Sequence, residues 1–389
     1  MKQVLHLVLL WGVTTTSLLH ARDEQWLQYH TSVQADRIVG IFSPKTLKLA
    51  EVKPQGVDLP EFNCDRSLFA YWPTPMVQAG GLWIALDRSQ ANGVYDRLIV
   101  DSNGNMNLTD DDRITASKIE GLYASWGPVK VTFEGDDGPI AYHLNVDLLA
   151  GQKPVLYVRS GGWYEGTVAV GQDSRYCVLI DNSVNGTFDD RSIDPQQRDW
   201  IRIGARGRVK TSYVGNYIEL ESRLYRLEVA RDGAYIKLFQ ATDLKFGTVR
   251  LPQSVVAFSA AGQNGLIPVK LENSMGRLPV GKYRVERWTM QRTDEAGARW
   301  KIEGGVASAE KGLFEVTEGR ETVIATGDPI VACLQVQTTE RTHSFRHSLK
   351  GPFDERILLT RDGKQPPAPR LRIRSEDGTY VQTYSFEYG

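Results

Sequence analysis

Four Asp-Gly pairs, Asp137-Gly138, Asp232-Gly233, Asp362-Gly363 and Asp377-Gly378, punctuate this chain of 389 residues. Asp-Gly suits a tight hairpin because glycine, and less easily aspartate, accepts the positive φ that primed turns demand. Around these pairs stand short runs rich in β-branched, aromatic or alternating residues: Val129 to Phe133, Tyr176 to Ile180, Leu224 to Val229, Tyr283 to Trp288 and Leu371 to Ile373. Helical periodicity is scarce. Short strands joined by tight turns pair antiparallel, so the expected fold class is all-β, with sandwiches or barrels favoured over a parallel sheet.

The N-terminus reads as a secretory leader. Met1-Lys2 precedes an apolar stretch from Val4 to Val13, and Leu19-His20-Ala21 gives way to Arg22-Asp23-Glu24. This layout predicts a signal peptide over 1–21, cut after Ala21, and a secreted, periplasmic or cell-envelope location. Nothing later approaches the roughly 18 apolar residues of a membrane helix, so the mature chain is not expected to span a membrane. The remaining length suits several domains. An irregular N-terminal segment, punctuated by Pro54, Pro60, Pro73 and Pro75, is expected over 22–75. A β-rich region with repeated Asp/Asn loops follows over 76–250, then a small sandwich-like module over 251–311 and a C-terminal sandwich module over 312–389. Leu278-Pro-Val-Gly-Lys-Tyr283 resembles the Leu-Pro-x-Gly-x-Tyr segment of small immunoglobulin-like and carboxypeptidase-regulatory-like modules. The resemblance covers one turn and one strand, and it implies β-sandwich or Ig-like modules in this part of the chain.

A formal net charge of −1 leaves no basic field for a phosphate backbone, so nucleic acid is not an expected partner. The three cysteines, Cys64, Cys177 and Cys333, are widely spaced and odd in number. No disulfide framework can be read from them, and at least one thiol stays free or pairs between chains.

The chemistry sits in an internal echo. Three times an apolar run ends in Asp and a segment closes on an acidic residue followed by Arg: Asp87 to Asp96-Arg97, Asp101 to Asp112-Arg113, and Asp181 to Asp190-Arg191. In the middle segment, counting Asp101 as position 1, oxygen-bearing side chains recur at Asn103, Asn105, Asn107, Thr109 and Asp112, positions 3, 5, 7, 9 and 12. Alternate residues of a curled loop point inward, so these oxygens can converge on a hard cation. The spacing resembles the calcium loop of EF-hands, and with Asp at position 12 it is closer to the dockerin-type variant. It departs from that pattern at Met106, where the family has Gly, and in being entered from a strand. The Asp181 segment supplies Asp181, Ser183, Asn185, Thr187, Asp189 and Asp190, with Gly186 at position 6, but has Ser192 at position 12, where Asp190 or Asp194 is the substitute on offer. The Asp87 segment has Ala91 where the third ligand would sit and reads as a structural relic. Asp, Asn and Gly also serve ordinary hairpin turns, where side-chain oxygens cap backbone N–H groups without a metal.

No nucleophile elbow, phosphate-binding loop, His-Glu-x-x-His or Cys-x-x-Cys is present. His343 and His347 fall on an expected strand, which would hold them about 13 Å apart. Glu165, in Gly161-Gly-Trp-Tyr-Glu-Gly166, is the residue one would nominate for a two-carboxylate glycosidase. The sequence thus leads to an exported, non-catalytic β protein with structural calcium loops, serving envelope structure or binding a glycan or an envelope protein. A secreted carbohydrate-active or other hydrolytic enzyme with structural calcium is the alternative.

Overall fold

The computed structural model describes residues 23–40, 44–90, 93–306, 308–340 and 342–387. The expected signal peptide lies outside the described residues, as do Ala91 and Asn92 of the first Asp loop. The described chain is almost entirely β, in several antiparallel sheets of sandwich-like architecture. Its one α-helix among the described residues, Ala35–Val39, is a short turn ended by Gly40 in the left-handed conformation. No described helix is long and apolar enough to cross a membrane.

Each expected strand forms within a somewhat longer one: Tyr123–Gly135, Asp173–Ile180, Arg223–Val229, Gly281–Thr293 and Arg370–Arg374. Three of the Asp-Gly pairs join antiparallel partners, as where Gly138 faces Gly135, and the fourth closes on the Arg361–Lys364 bridge. Glycine has positive φ at all four.

Among the described residues two large cores are accompanied by two small apolar clusters, one of them holding Phe69, Ala85, Ile99 and Leu108. The first core gathers buried residues from Leu27 to Ile236. Its centre is aromatic: Trp72 stacks on Tyr142 with ring centroids 5.7 Å apart, and Phe133 and Phe188 pack on the same Tyr142 ring. A five-stranded sheet carries Asp173–Ile180 between Gly162–Val170 and Trp200–Gly204, and a four-stranded sheet carries Arg97–Val100 between Gly81–Asp87 and Ile114–Thr115. Both Asp loops thus leave the ends of interior strands, where backbone pairing on either side fixes the starting aspartate.

The second core runs from Val249 to Ile357 around Trp288, Tyr283 and Met290. Its large sheet crosses the boundary expected near 312. Gly281–Thr293 pairs with Leu313–Val316, and Arg299–Gly305 pairs with Arg356–Arg361. Strand pairs remote in sequence therefore bind the two expected modules into one hydrophobic unit. The hairpin Thr342–Lys350 with Val331–Thr339 extends that sheet, and a separate hairpin, Arg370–Arg374 with Val381–Ser385, lies beyond it. Cys64 and Cys177 are buried free thiols, and Cys333 is a half-buried one.

Candidate metal centre

The Asp101 and Asp181 loops share one ten-residue plan. Position 1 is a buried aspartate whose carboxylate caps the loop's own backbone. Asp101 accepts the N–H groups of Asn105 and Met106 at 3.0 and 3.1 Å, and Asp181 those of Val184, Asn185 and Gly186 at 2.6 to 3.4 Å. Positions 4 and 6 take positive φ in both: Gly104 and Met106 in one, Val184 and Gly186 in the other. Glycine and the larger residue have exchanged places on the same backbone path. At Gly104 the exchange is sterically fixed, because a Cβ there would lie 2.8 Å from Val77 Cγ1. Position 8 is an apolar plug, Leu108 or Phe188, each 1% exposed. Phe188 enters the aromatic centre between Tyr142 and Tyr164. Position 10 is the closing acid. Asn105 Nδ2 donates to Asp110 at 2.9 Å, as Asn185 Nδ2 donates to Asp190 at 2.7 Å.

The Asp181 loop is drawn tighter. Ser183 Oγ, Asn185 Nδ2 and Thr187 Oγ1 all donate to one oxygen of Asp190, at 2.9, 2.7 and 3.2 Å, and Ser183 also reaches Asp181 at 3.1 Å. Positions 1, 3, 5, 7 and 10 therefore form one knot of oxygen-bearing side chains. Its floor is the first core: Tyr142 donates to Asp181 at 2.8 Å and Trp72 to the Val184 carbonyl at 2.8 Å. A further acid, Asp199, comes from beside the strand Trp200–Gly204. It accepts the N–H groups of Asn182 and Asp190 at 3.1 and 2.9 Å. Asp111 plays that part in the other loop, accepting the N–H of Ser102 at 3.0 Å.

These acids are held where charge is expensive. Burial pushes Asp181 up to about 6, against the Gly186 N–H and the Tyr142 hydroxyl that favour its anion. Asp199 is driven well above the usual carboxylate range by burial, then by Asp181 and Asp190. Burial also raises Asp101, Asp111 and Asp189. Lys45 reaches the knot, where its ammonium rests 3.5 and 3.4 Å from the carbonyl oxygens of Ser183 and Val184. Burial lowers its own pKa, against the pull of Asp181 and Asp190.

Among the described residues no three or more His, Cys, Asp or Glu side chains are placed to hold a metal by themselves. Any ion here would draw on amide, hydroxyl and carbonyl oxygens as well as carboxylates. That mixture of hard oxygens, with neither imidazole nor thiolate, fits calcium and does not fit zinc or copper. Asn185 Oδ1 accepts the Thr187 N–H at 2.9 Å while its Nδ2 donates to Asp190, so an ion would share that oxygen with the Thr187 N–H. Asp181, Ser183, Asn185, Thr187 and Asp190 are the residues that would hold the ion. In the Asp101 loop they are Asp101, Asn103, Asn105, Asn107 and Asp110.

No known protein family matches this chain, and no curated protein or solved structure shows significant similarity to it. Its own geometry is the guide to its chemistry.

Several residues singled out in the sequence stand elsewhere. Asp112 is exposed and makes no hydrogen bond within its loop, which closes two residues earlier on Asp110. Thr109 bonds to Asn107 and faces solvent. Asp189 lies beside the knot, near Arg191 and Arg231. In the first loop, Ser89 N–H bonds to Asp96 at 2.7 Å across the same positions 3 and 10. Asp87, however, turns to the Asn63 N–H and Arg113 instead of capping its own loop. His343 and His347 lie on one strand, in contact with Thr338 and Phe386 respectively. Burial works to raise Glu165, yet Trp163 Nε1–H at 3.0 Å and the Tyr176 hydroxyl at 2.7 Å hold it below its usual value. A glycosidase general acid needs the opposite shift.

The knot is also bolted to the second core. Arg191, next to Asp190, donates to Asn216, whose amide donates to Asn264 at 2.9 Å. Arg198, next to Asp199 and 2% exposed, meets both oxygens of Glu286 at 3.0 and 3.1 Å and lies 3.4 Å over the Tyr213 ring. Arg284 and Tyr213 share the same Glu286 carboxylate at 2.6 Å each.

Proposed function

We propose that this is an exported, non-catalytic β protein whose Asp101 and Asp181 loops bind calcium as a structural ion, stiffening a scaffold used in the cell envelope or in binding a glycan or protein. One observation carries the reading. Around Asp181, five oxygen-bearing side chains draw together, while Asp181 and Asp199 are buried carboxylates, and the ammonium that reaches the knot, that of Lys45, contacts loop carbonyls and not either carboxylate. A divalent ion would supply the missing positive charge and replace hydrogen bonds that now tie the oxygens to one another. Extracellular modules need affinities of only about 10⁻⁴ to 10⁻³ M, and an ion bound to the folded chain alone stabilises it by mass action. In a chain with three free thiols, the ion would provide order that disulfides do not.

Thermal melting of the purified protein in millimolar calcium and in chelator tests this reading. A higher melting temperature in calcium, unmatched by magnesium, is expected. Identical curves in the two buffers would mean that the Asp/Asn runs are self-satisfied turns.

A further inference from the structure

The strand Val331–Thr339 ends the large sheet. One side pairs with Thr342–Lys350 over all nine residues, and among the described residues no strand pairs with the other. Sheet edges are normally guarded by charge, proline or brevity. The opposite edge of the same sheet, Gly265–Val269, is short and carries Pro268. Val331–Thr339 reads VACLQVQTT, without charge or proline, and leaves Val331, Leu334 and Val336 52%, 50% and 53% exposed.

We propose that this edge pairs antiparallel with the same strand of a second copy, forming a two-fold dimer centred on Gln335. One observation and one symmetry argument point to a second copy as the occupant. The edge has no charge to repel its own image, and antiparallel pairing is what a two-fold axis imposes on identical strands. Full nine-residue overlap also places Leu334 opposite Val336 of the second copy, and Val336 opposite its Leu334, so the exposed apolar side chains meet one another at the axis. Ala332 faces Thr338, and Cys333 faces Gln337. The two Cys333 thiols then stand about 13 Å apart along the strand, so the dimer forms without a disulfide.

The paired face continues an apolar surface already present. Leu334 and Val336 stand directly opposite His347 and Phe345 on the neighbouring strand. Phe345 lines a groove of about 700 Å³ whose other wall includes Leu371, Ile373 and Tyr384 of the last hairpin. Pairing carries that surface across the axis. Nine paired residues span about 30 Å, a contact made along a single strand edge, so association should be reversible and concentration-dependent.

Sedimentation velocity of the purified protein, from low to high micromolar concentration, tests the proposal. Wild type should pass from monomer to dimer. Val336→Lys, at an exposed position, sets an ammonium against Leu334 of the second copy and should weaken the dimer at least about tenfold while leaving the circular dichroism spectrum unchanged. The double variant Leu334→Glu with Val336→Lys pairs opposite charges twice across the axis and should restore dimerisation. A monomer at every concentration, undiminished association of Val336→Lys, or failure of the double variant to recover would each overturn the proposal.

Discussion

Asp181→Asn separates a calcium loop from a self-satisfied turn more sharply than any other change. The substitution keeps the shape of the side chain and removes its charge. In chelator two effects oppose each other. Raising the carboxyl from its ordinary value to about 6 penalises the ionised folded state by up to about 3 kcal/mol at neutral pH, and the amide relieves this. The amide also loses one acceptor oxygen. Oδ2 of Asp181 takes the N–H groups of Asn185 and Gly186 at 3.1 and 2.8 Å, and leaving buried donors unmatched costs about 1–3 kcal/mol each. The two roughly cancel, so wild type and variant should melt within a few degrees of each other in chelator. In calcium they should part. At 10 to 100 times the dissociation constant an ion contributes about 1.4–2.7 kcal/mol per site, which moves the melting point of a protein this large by several degrees. Differential scanning calorimetry in both buffers reads this directly. The wild-type calcium shift should fall by about half in the variant, the Asp101 loop supplying the rest. A variant that keeps the whole shift would refute the role given to Asp181.

The pH dependence follows from the same group. A folded carboxyl raised above its unfolded value holds its proton longer than the unfolded chain does, so its stability contribution is most favourable below about pH 4 and is lost as pH rises through about 6. In chelator, wild type should therefore gain up to about 3 kcal/mol relative to Asp181→Asn between pH 7 and pH 4 in urea titrations; a pH-independent difference would contradict the burial of that carboxylate. Glu286→Gln leaves Arg198 and Arg284 buried without a counter-charge and should destabilise by about 3–5 kcal/mol, detected in urea titrations as a separate, earlier transition of the Val249–Ile357 core; an unchanged single transition would mean that the ion pairs do not couple the cores. Met106 holds a φ of 62°, so Met106→Gly should stabilise by about 0.5–1 kcal/mol in chemical denaturation, and a loss of stability would show that its side-chain packing outweighs the backbone strain.

Much of the fold was legible because strand and turn signals are local. The alternation of Leu224 to Val229 and the Asp-Gly pairs need only neighbouring residues to act. The starting aspartates and the oxygens at positions 3, 5 and 7 were legible for the same reason, since a curled loop turns alternate side chains inward. Asp190 was legible as an acid of its loop, but Asp110, the closing acid of the Asp101 loop, was not. Buried Leu108 and Phe188 at position 8 curl each chain so that position 10 returns to the loop, leaving Asp112 outside in solvent. Asp199 was beyond reach, because 18 residues separate it from Asp181 and only the pairing of Asp173–Ile180 with Trp200–Gly204 brings them together. The 312 boundary is a parallel case: its neighbouring segments read as separate sandwiches, but the pairing of Gly281–Thr293 with Leu313–Val316 spans it.

Isothermal titration of chelator-stripped protein with calcium measures the central claim itself. The account predicts saturable binding of two ions per chain, with one lost in Asp181→Asn and the other in Asp101→Asn. Absence of saturable binding at millimolar calcium would contradict it.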